Sequence, residues 1–166
     1  MATNSGAATV TLPTDDQILI TRDFDAPKHL IYQAWTSPEL VKQWWSGQHG
    51  TVTLVEIDLR VGGRWRYVIG GDGGFDLAFH GEFREIIPNQ HIVYTEVFEM
   101  QCSAVQCDAD AAVVTLTLIE TDGRTRLTLR TQTRTKEVRD AIIDSGMESG
   151  MQAQMDALER TARTLS

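Results

Sequence analysis

The chain changes period twice. Between about residues 51 and 133 apolar and polar positions alternate, and on either side apolar residues recur at steps of three and four. Residues 1 to 8 are small and polar and predict a frayed tail, and Val10 to Leu12 a short edge strand. Gln17 to Phe24 predicts the first core strand, with Ile18, Ile20 and Phe24 on one side. Asp25-Ala26-Pro27 ends it and starts a helix, Asp25 as cap and Pro27 as first helical residue, whose buried stripe is Leu30, Ile31, Ala34 and Trp35. Thr36-Ser37-Pro38-Glu39 offers a capping box for a second short helix carrying Leu40, Val41, Trp44 and Trp45.

The alternating region predicts six strands punctuated by glycine, proline and Asp-Gly. Thr51 to Leu59 is closed by Gly62-Gly63, and Arg64 to Ile69 carries Trp65, Tyr67 and Ile69 on one side. After a glycine hairpin at Gly70 to Gly74, Phe75 to Ile87 turns Phe75, Leu77, Phe79, Phe83 and Ile87 inward and His80, Glu82 and Arg84 outward. His91 to Met100 has Ile92, Tyr94, Glu96 and Phe98 on its inward side. Ala112 to Glu120 and Arg124 to Thr133 flank the Asp122-Gly123 turn.

Lys136 to Leu165 reads as one long helix capped by Thr135, with Val138, Ile142, Ile143, Met147, Met151, Met155, Leu158, Ala162 and Leu165 as its apolar face. Glu137, Asp140 and Asp144 near its start and Arg160 and Arg163 near its end suit the helix dipole. Gly146 and Gly150, each costing roughly 1 kcal/mol against Ala in a helix interior, mark a stretch that favours small or adaptable side chains. The order is thus strand, two short helices, six strands, long helix: an α+β domain over residues 9 to 166. A curved antiparallel sheet with one apolar face needs a cover, and only the terminal helix is long enough to supply it. A gap between helix and sheet is the candidate pocket.

Composition narrows the partners. A chain of 166 residues buries a core without staples. A net charge of −8 repels phosphate backbones and acidic bilayers, which sets nucleic acid and membrane surfaces aside. No apolar run approaches the ~20 residues that span a bilayer, and Met1 to Asp16 lacks the basic and apolar blocks of a signal peptide, so a cytoplasmic protein is expected. Cys102 and Cys107 sit in a polar loop and read either as free thiols or as one tight bridge.

Several stretches resemble a known family. Leu19 to Pro27, Ala34 to Glu39 with Trp44-Trp45, Asp58 to Trp65, Gly81 to Ile86 and Ser145 to Met151 ahead of Leu158 occur in the order found in START-like (SRPBCC) proteins. They are similar to the branch related to the activator of the heat-shock protein 90 ATPase. The resemblance covers about residues 10 to 165 and implies a helix-grip fold, a curved sheet wrapped on the C-terminal helix around a hydrophobic cavity. It also implies a range of roles: binding of lipids, hormones or polyketides, cyclisation, or a co-chaperone-like contact with a chaperone.

The candidate chemistry is sparse. His29, His49, His80 and His91 show no metal-ligand spacing, the Gly-Gly pairs lack the Lys-Ser or Lys-Thr of a phosphate loop, and no metal or cofactor is expected. His80 reads as a surface residue with a catalytic base as the competing reading. Arg124, Arg126, Arg130 and Arg134 form either a solvated basic stripe or an anion site. Trp44, Trp45, Trp65, Tyr67, Phe75, Phe79 and Tyr94, with Met147 and Met151 facing them, read as either packed core or an adaptable pocket wall. Glu96 is the one carboxylate on an inward strand face, and it either orients a ligand or reaches water at the strand end. The expectation is an apolar or aromatic small molecule held between sheet and terminal helix by these residues. A protein-interaction module and a cyclase or hydrolase are the alternatives, and the oligomeric state, a homodimer included, stays open.

Overall fold

The computed structural model describes residues 8–45, 51–70, 76–98, 111–144 and 147–165. Twelve elements follow in order: β1 (Thr9–Thr11), β2 (Gln17–Phe24), α1 (Lys28–Thr36), α2 (Pro38–Trp44), β3 (Thr51–Ile57), β4 (Arg64–Gly70), β5 (Asp76–Ile87), β6 (His91–Phe98), β7 (Ala112–Thr121), β8 (Arg124–Gln132), α3 (Lys136–Asp144) and α4 (Met147–Arg163). The strands form one antiparallel sheet in the order β1-β2-β8-β7-β6-β5-β4-β3. Its curved inner face carries the helices, so the α+β helix-grip architecture expected from the sequence is the one observed. Sequential hairpins build most of the sheet, and the β2–β8 pairing closes the chain on itself.

One end of this face is packed solid. Ile18, Ile20 and Phe24 of β2, Val114, Leu116 and Leu118 of β7, and Leu127 of β8 are buried with Ile31 of α1 and Met155, Leu158 and Ala162 of α4. Arg22 shares that inward face and is only 3% exposed. Its Nη1 donates to Asp156 Oδ1 at 2.6 Å and its Nη2 lies 3.5 Å from Glu159 Oε1, so a buried cation ties strand to helix. The Arg22 guanidinium also stands 5.0 Å from the centre of the Phe24 ring.

Local rules diverge from expectation at several ends. Pro27 is the N-cap of α1, not its first residue, and the Lys28 amide donates to Glu120 Oε1 of β7 at 2.8 Å instead of being capped by Asp25. The expected capping box is absent from α2: Ser37 is its N-cap without a side-chain bond, and the Thr36 hydroxyl turns back to Tyr32 O at 2.8 Å. Thr135 does cap α3, accepting from the Val138 amide at 3.2 Å. The predicted terminal helix is described as α3 and α4, and residues 145 and 146 between them lie outside the described residues. In α3 the inward position is Arg139, which donates to Thr14 O at 2.8 Å, while Val138 is 43% exposed.

Strand parity also breaks where the ladder does. A register shift between Phe83 and Glu85 puts Ile86 against the core and leaves Ile87 44% exposed, although alternation alone turned Ile87 inward. A second shift between Val52 and Leu54 lets both Val52 and Val55 face the core, and β3 ends at Ile57, two residues before the expected Leu59. The predicted tail meets the described residues only at Ala8, which is buried and exchanges two hydrogen bonds with the Gln152 side chain of α4. Phe75, the hairpin at residues 71–74, His49, Cys102, Cys107 and Gly146 lie outside the described residues.

Candidate functional site

At the other end of the concave face the packing opens. Trp35 and Thr36 of α1 and Trp44 and Trp45 of α2 stand over Ile57 of β3, Trp65 and Tyr67 of β4, Phe83 of β5, and Tyr94 and Glu96 of β6, around a gap. The space not filled by atoms is about 400 Å3 with its open mouth included, but a water-sized sphere finds only about 20 Å3 for its centre. That is room for about one water molecule. The rings close the gap on one another: Trp45 meets Tyr67 and Phe79 edge-on at 5.0 and 4.9 Å, Trp65 lies 4.7 Å from Tyr67 and 5.6 Å from Tyr94, and Trp35 lies 4.9 Å from Trp44.

Each wall has a local cause. Trp44 projects inward from α2 and donates its indole N–H to Ala34 O at 2.9 Å, which ties the two short helices together. Trp65 donates to Thr95 O at 3.1 Å, across Gly81. A Cβ on Gly81 would fall 1.7 Å from Thr95 O and 2.6 Å from Trp65 Nε1, so glycine there is what lets the indole lie flat on the sheet. Gly62, at φ +84°, makes the β3–β4 turn that returns the chain to Trp65.

Thr36, Trp44 and Trp65 spend their side-chain polar atoms on the protein itself. Glu96 and the hydroxyls of Tyr67 and Tyr94 make no hydrogen bond or ion pair among the described residues. Burial pushes the Glu96 carboxyl up to about 7. Burial, and then the neighbouring Glu96 charge, raise both phenols well above their ordinary value. The phenols therefore act as neutral hydrogen-bonding groups, whereas Glu96 can hold or release a proton near neutrality.

Of the ten residues expected to form the site, Trp44, Trp45, Trp65, Tyr67, Tyr94 and Glu96 line this gap. Phe79 backs Trp45 from outside the lining. Met151 is buried in the core and is not part of the lining, and among the described residues the gap lies under α1 and α2, with none from α3 or α4 in its lining. Phe75 and the Met147 side chain lie outside the description. Four lining residues escaped the sequence reading as site residues: Trp35, Thr36, Ile57 and Phe83. Trp35 was legible only as helix core, yet its place immediately before the Thr36-Ser37-Pro38 break puts it at the edge of the cover. His80 is half-buried and outside the lining. Among the described residues no three His, Cys, Asp or Glu side chains gather as a metal-ligand group, and no helix is long and apolar enough to cross a membrane.

A family model described as Activator of Hsp90 ATPase homolog 1-like protein matches residues 25–163. Among solved structures, a protein from Rhodobacter sphaeroides superposes with a TM-score of 0.84 at 23% identity, covering 96% of this chain and 99% of that one. A protein from Nitrosomonas europaea gives 0.80 at 20% identity, covering 92% and 97%. One from Staphylococcus epidermidis gives 0.78 at 25% identity, covering 95% of each chain. No functionally curated protein matches the chain.

Proposed function

Since the chain belongs to the family of Activator of Hsp90 ATPase homolog 1-like proteins, in the START-like branch, we propose that it binds an apolar or aromatic small molecule in the gap beneath α1 and α2. The observation that carries this reading is the convergence of all four tryptophans of the chain on one gap, beside a carboxylate and two hydroxyls that lack partners among the described residues. A core meant only to be filled would bury aliphatic side chains in tight contact, as the opposite end of the sheet does. Burial of ligand surface supplies affinity at roughly 25 cal/mol per Å2 before ordering costs. Tyr67, Tyr94 and Glu96 would orient the ligand. The gap is nearly closed, so rings must part on binding; Trp45, half-buried at the end of α2, is the ring nearest solvent among the four tryptophans.

Tryptophan fluorescence and thermal unfolding in the presence of a panel of apolar and aromatic compounds test the proposal. A saturable fluorescence change with a matching rise in Tm is expected for at least one chemical class. No change with any compound, together with native mass spectra of the bare polypeptide alone, would overturn it. The family description favours a second reading, a co-chaperone-like contact, for which Leu59 and Val61 stand exposed on the β3–β4 connection. Stimulation of a purified Hsp90 ATPase by the intact chain, lost on Val61→Asp, would select that reading instead.

A further inference from the structure

We propose that the gap selects a ligand carrying a permanent or protonated ammonium group, held by the Glu96 carboxylate and the faces of the surrounding tryptophan and tyrosine rings. The inference rests on the reading of the gap as a ligand site and narrows it to a charge class.

Seven of the ten described lining residues are aromatic, and none of the ten is lysine, arginine or histidine. The face of an aromatic ring is the negative end of its quadrupole, so rings turned toward a common space favour a cation there, tryptophan most of all. Among the described residues Glu96 contributes the only formal charge in the lining, and no cation pairs with it. Everywhere else in the described protein an inward charge is matched: Arg22 by Asp156 and Glu159, and Arg139 by Asp140 and Thr14 O. A carboxylate set among rings without its counter-ion is a site that a ligand's cation completes. The net charge of −8 adds long-range attraction for the same sign.

Among the described residues the groups that face Glu96 are few. Tyr67 of β4 and Tyr94 of β6 are the titratable ones, both held neutral. α1, α2, β3 and β5 contribute only uncharged side chains to the lining. The carboxyl, raised to about 7, is partly protonated when the gap is empty and must ionise to receive a cation. Binding of an ammonium below pH 7 therefore releases a proton, and affinity falls with pH below that point.

The probe pair is benzyltrimethylammonium and its uncharged carbon isostere, neopentylbenzene. Neither titrates, so any pH dependence belongs to the protein. Affinities are read from tryptophan fluorescence at pH 8.5 and pH 6, and proton release from calorimetry in buffers of different ionisation heat. The ammonium is expected to bind about tenfold or more tightly than the isostere at pH 8.5. At pH 6 its affinity should drop by about tenfold with release of about one proton per ligand, and Glu96→Gln should erase both the preference and the release. Equal or tighter binding of the isostere at pH 8.5, or ammonium binding without proton release at pH 6 in the unmodified protein, overturns the charge assignment and leaves the small-molecule site standing. Failure of both probes, and of every compound in the wider panel, overturns the two together. The calorimetric measurement uses the unmodified chain, so it decides the question even if the Gln variant folds poorly.

Discussion

The two ends of the concave sheet face each hold an inward charge, buried at one and half-buried at the other, and they treat it in opposite ways. At the β2 end Arg22 is met by two carboxylates from α4, and aliphatic side chains fill the space around it. At the β6 end Glu96 stands among rings that touch edge-on and leave a gap, with no partner among the described residues. A buried ion that is paired holds two elements in register. A carboxylate drawn partly out of water without a partner costs stability, and its desolvation moves its proton affinity toward neutrality instead. The first arrangement ties strand to helix, and the second leaves a charge for which the folded chain supplies no counter-ion among the described residues, which is why that end carries the functional proposal.

The sharpest way to break the open end is at its floor. Gly81→Ala places a methyl group 1.7 Å from Thr95 O, a backbone atom of the neighbouring strand, and in the path of the Trp65 indole. The β5–β6 ladder and the Trp65 bond cannot both survive. Urea unfolding should show a loss of about 4 kcal/mol or more, or no folded protein. A cost under about 1 kcal/mol would mean that the indole does not lie on the sheet and that the gap has another shape.

Breaking the paired end should cost less. Arg22→Met keeps the apolar stem but takes the guanidinium from Glu159, which is largely buried and still accepts from the Asp25 amide, and from Asp156, which is half exposed and readily rehydrated. A loss of about 3 kcal/mol is expected by denaturant unfolding, near the lower end for broken buried pairs because one partner reaches water. Tryptophan emission of the folded variant should stay unchanged, since all four indoles lie at the other end. A shift in emission would show that α4 transmits the change across the sheet.

Much of this contrast was legible in the residues, and its limits have physical causes. Period-two alternation gave the strands, and turn residues such as Asp122-Gly123 gave their ends, because side-chain direction in a strand follows from sequence parity. Parity fails at a bulge, so Ile87 went astray at a position where nothing in the composition announces an extra residue. Arg22 sat on the apolar side of a strand whose other inward residues are apolar, but its partners lie more than a hundred residues away on α4, beyond any local pattern. The aromatic residues of the gap were visible as a set. Its roof was not, because which helix covers which end depends on tertiary packing, and the two short helices rather than α4 supply it.

The smallest expected effect is the most discriminating. Glu96 has a folded pKa of about 7 against an ordinary value near 4.5, so between those pH values the folded chain holds a proton that the unfolded chain has lost. Stability from this group is therefore greatest below about pH 4.5, declines as pH rises toward 7 and is level above it. Glu96→Gln removes the penalty of ionising a partly desolvated carboxyl and should raise stability by about 1 to 3 kcal/mol at pH 8, where the unmodified protein must carry the charge. The gain should shrink to nothing near pH 4.5, where both side chains are neutral. At the paired end the sign is reversed: Arg22→Met destabilises at both pH values, because its charge has partners to lose. A Gln variant that is less stable at pH 8, or equally changed at both, would show that the carboxylate already has a partner in the folded chain. The open end would then be a second closed one, with no vacancy for a ligand's charge.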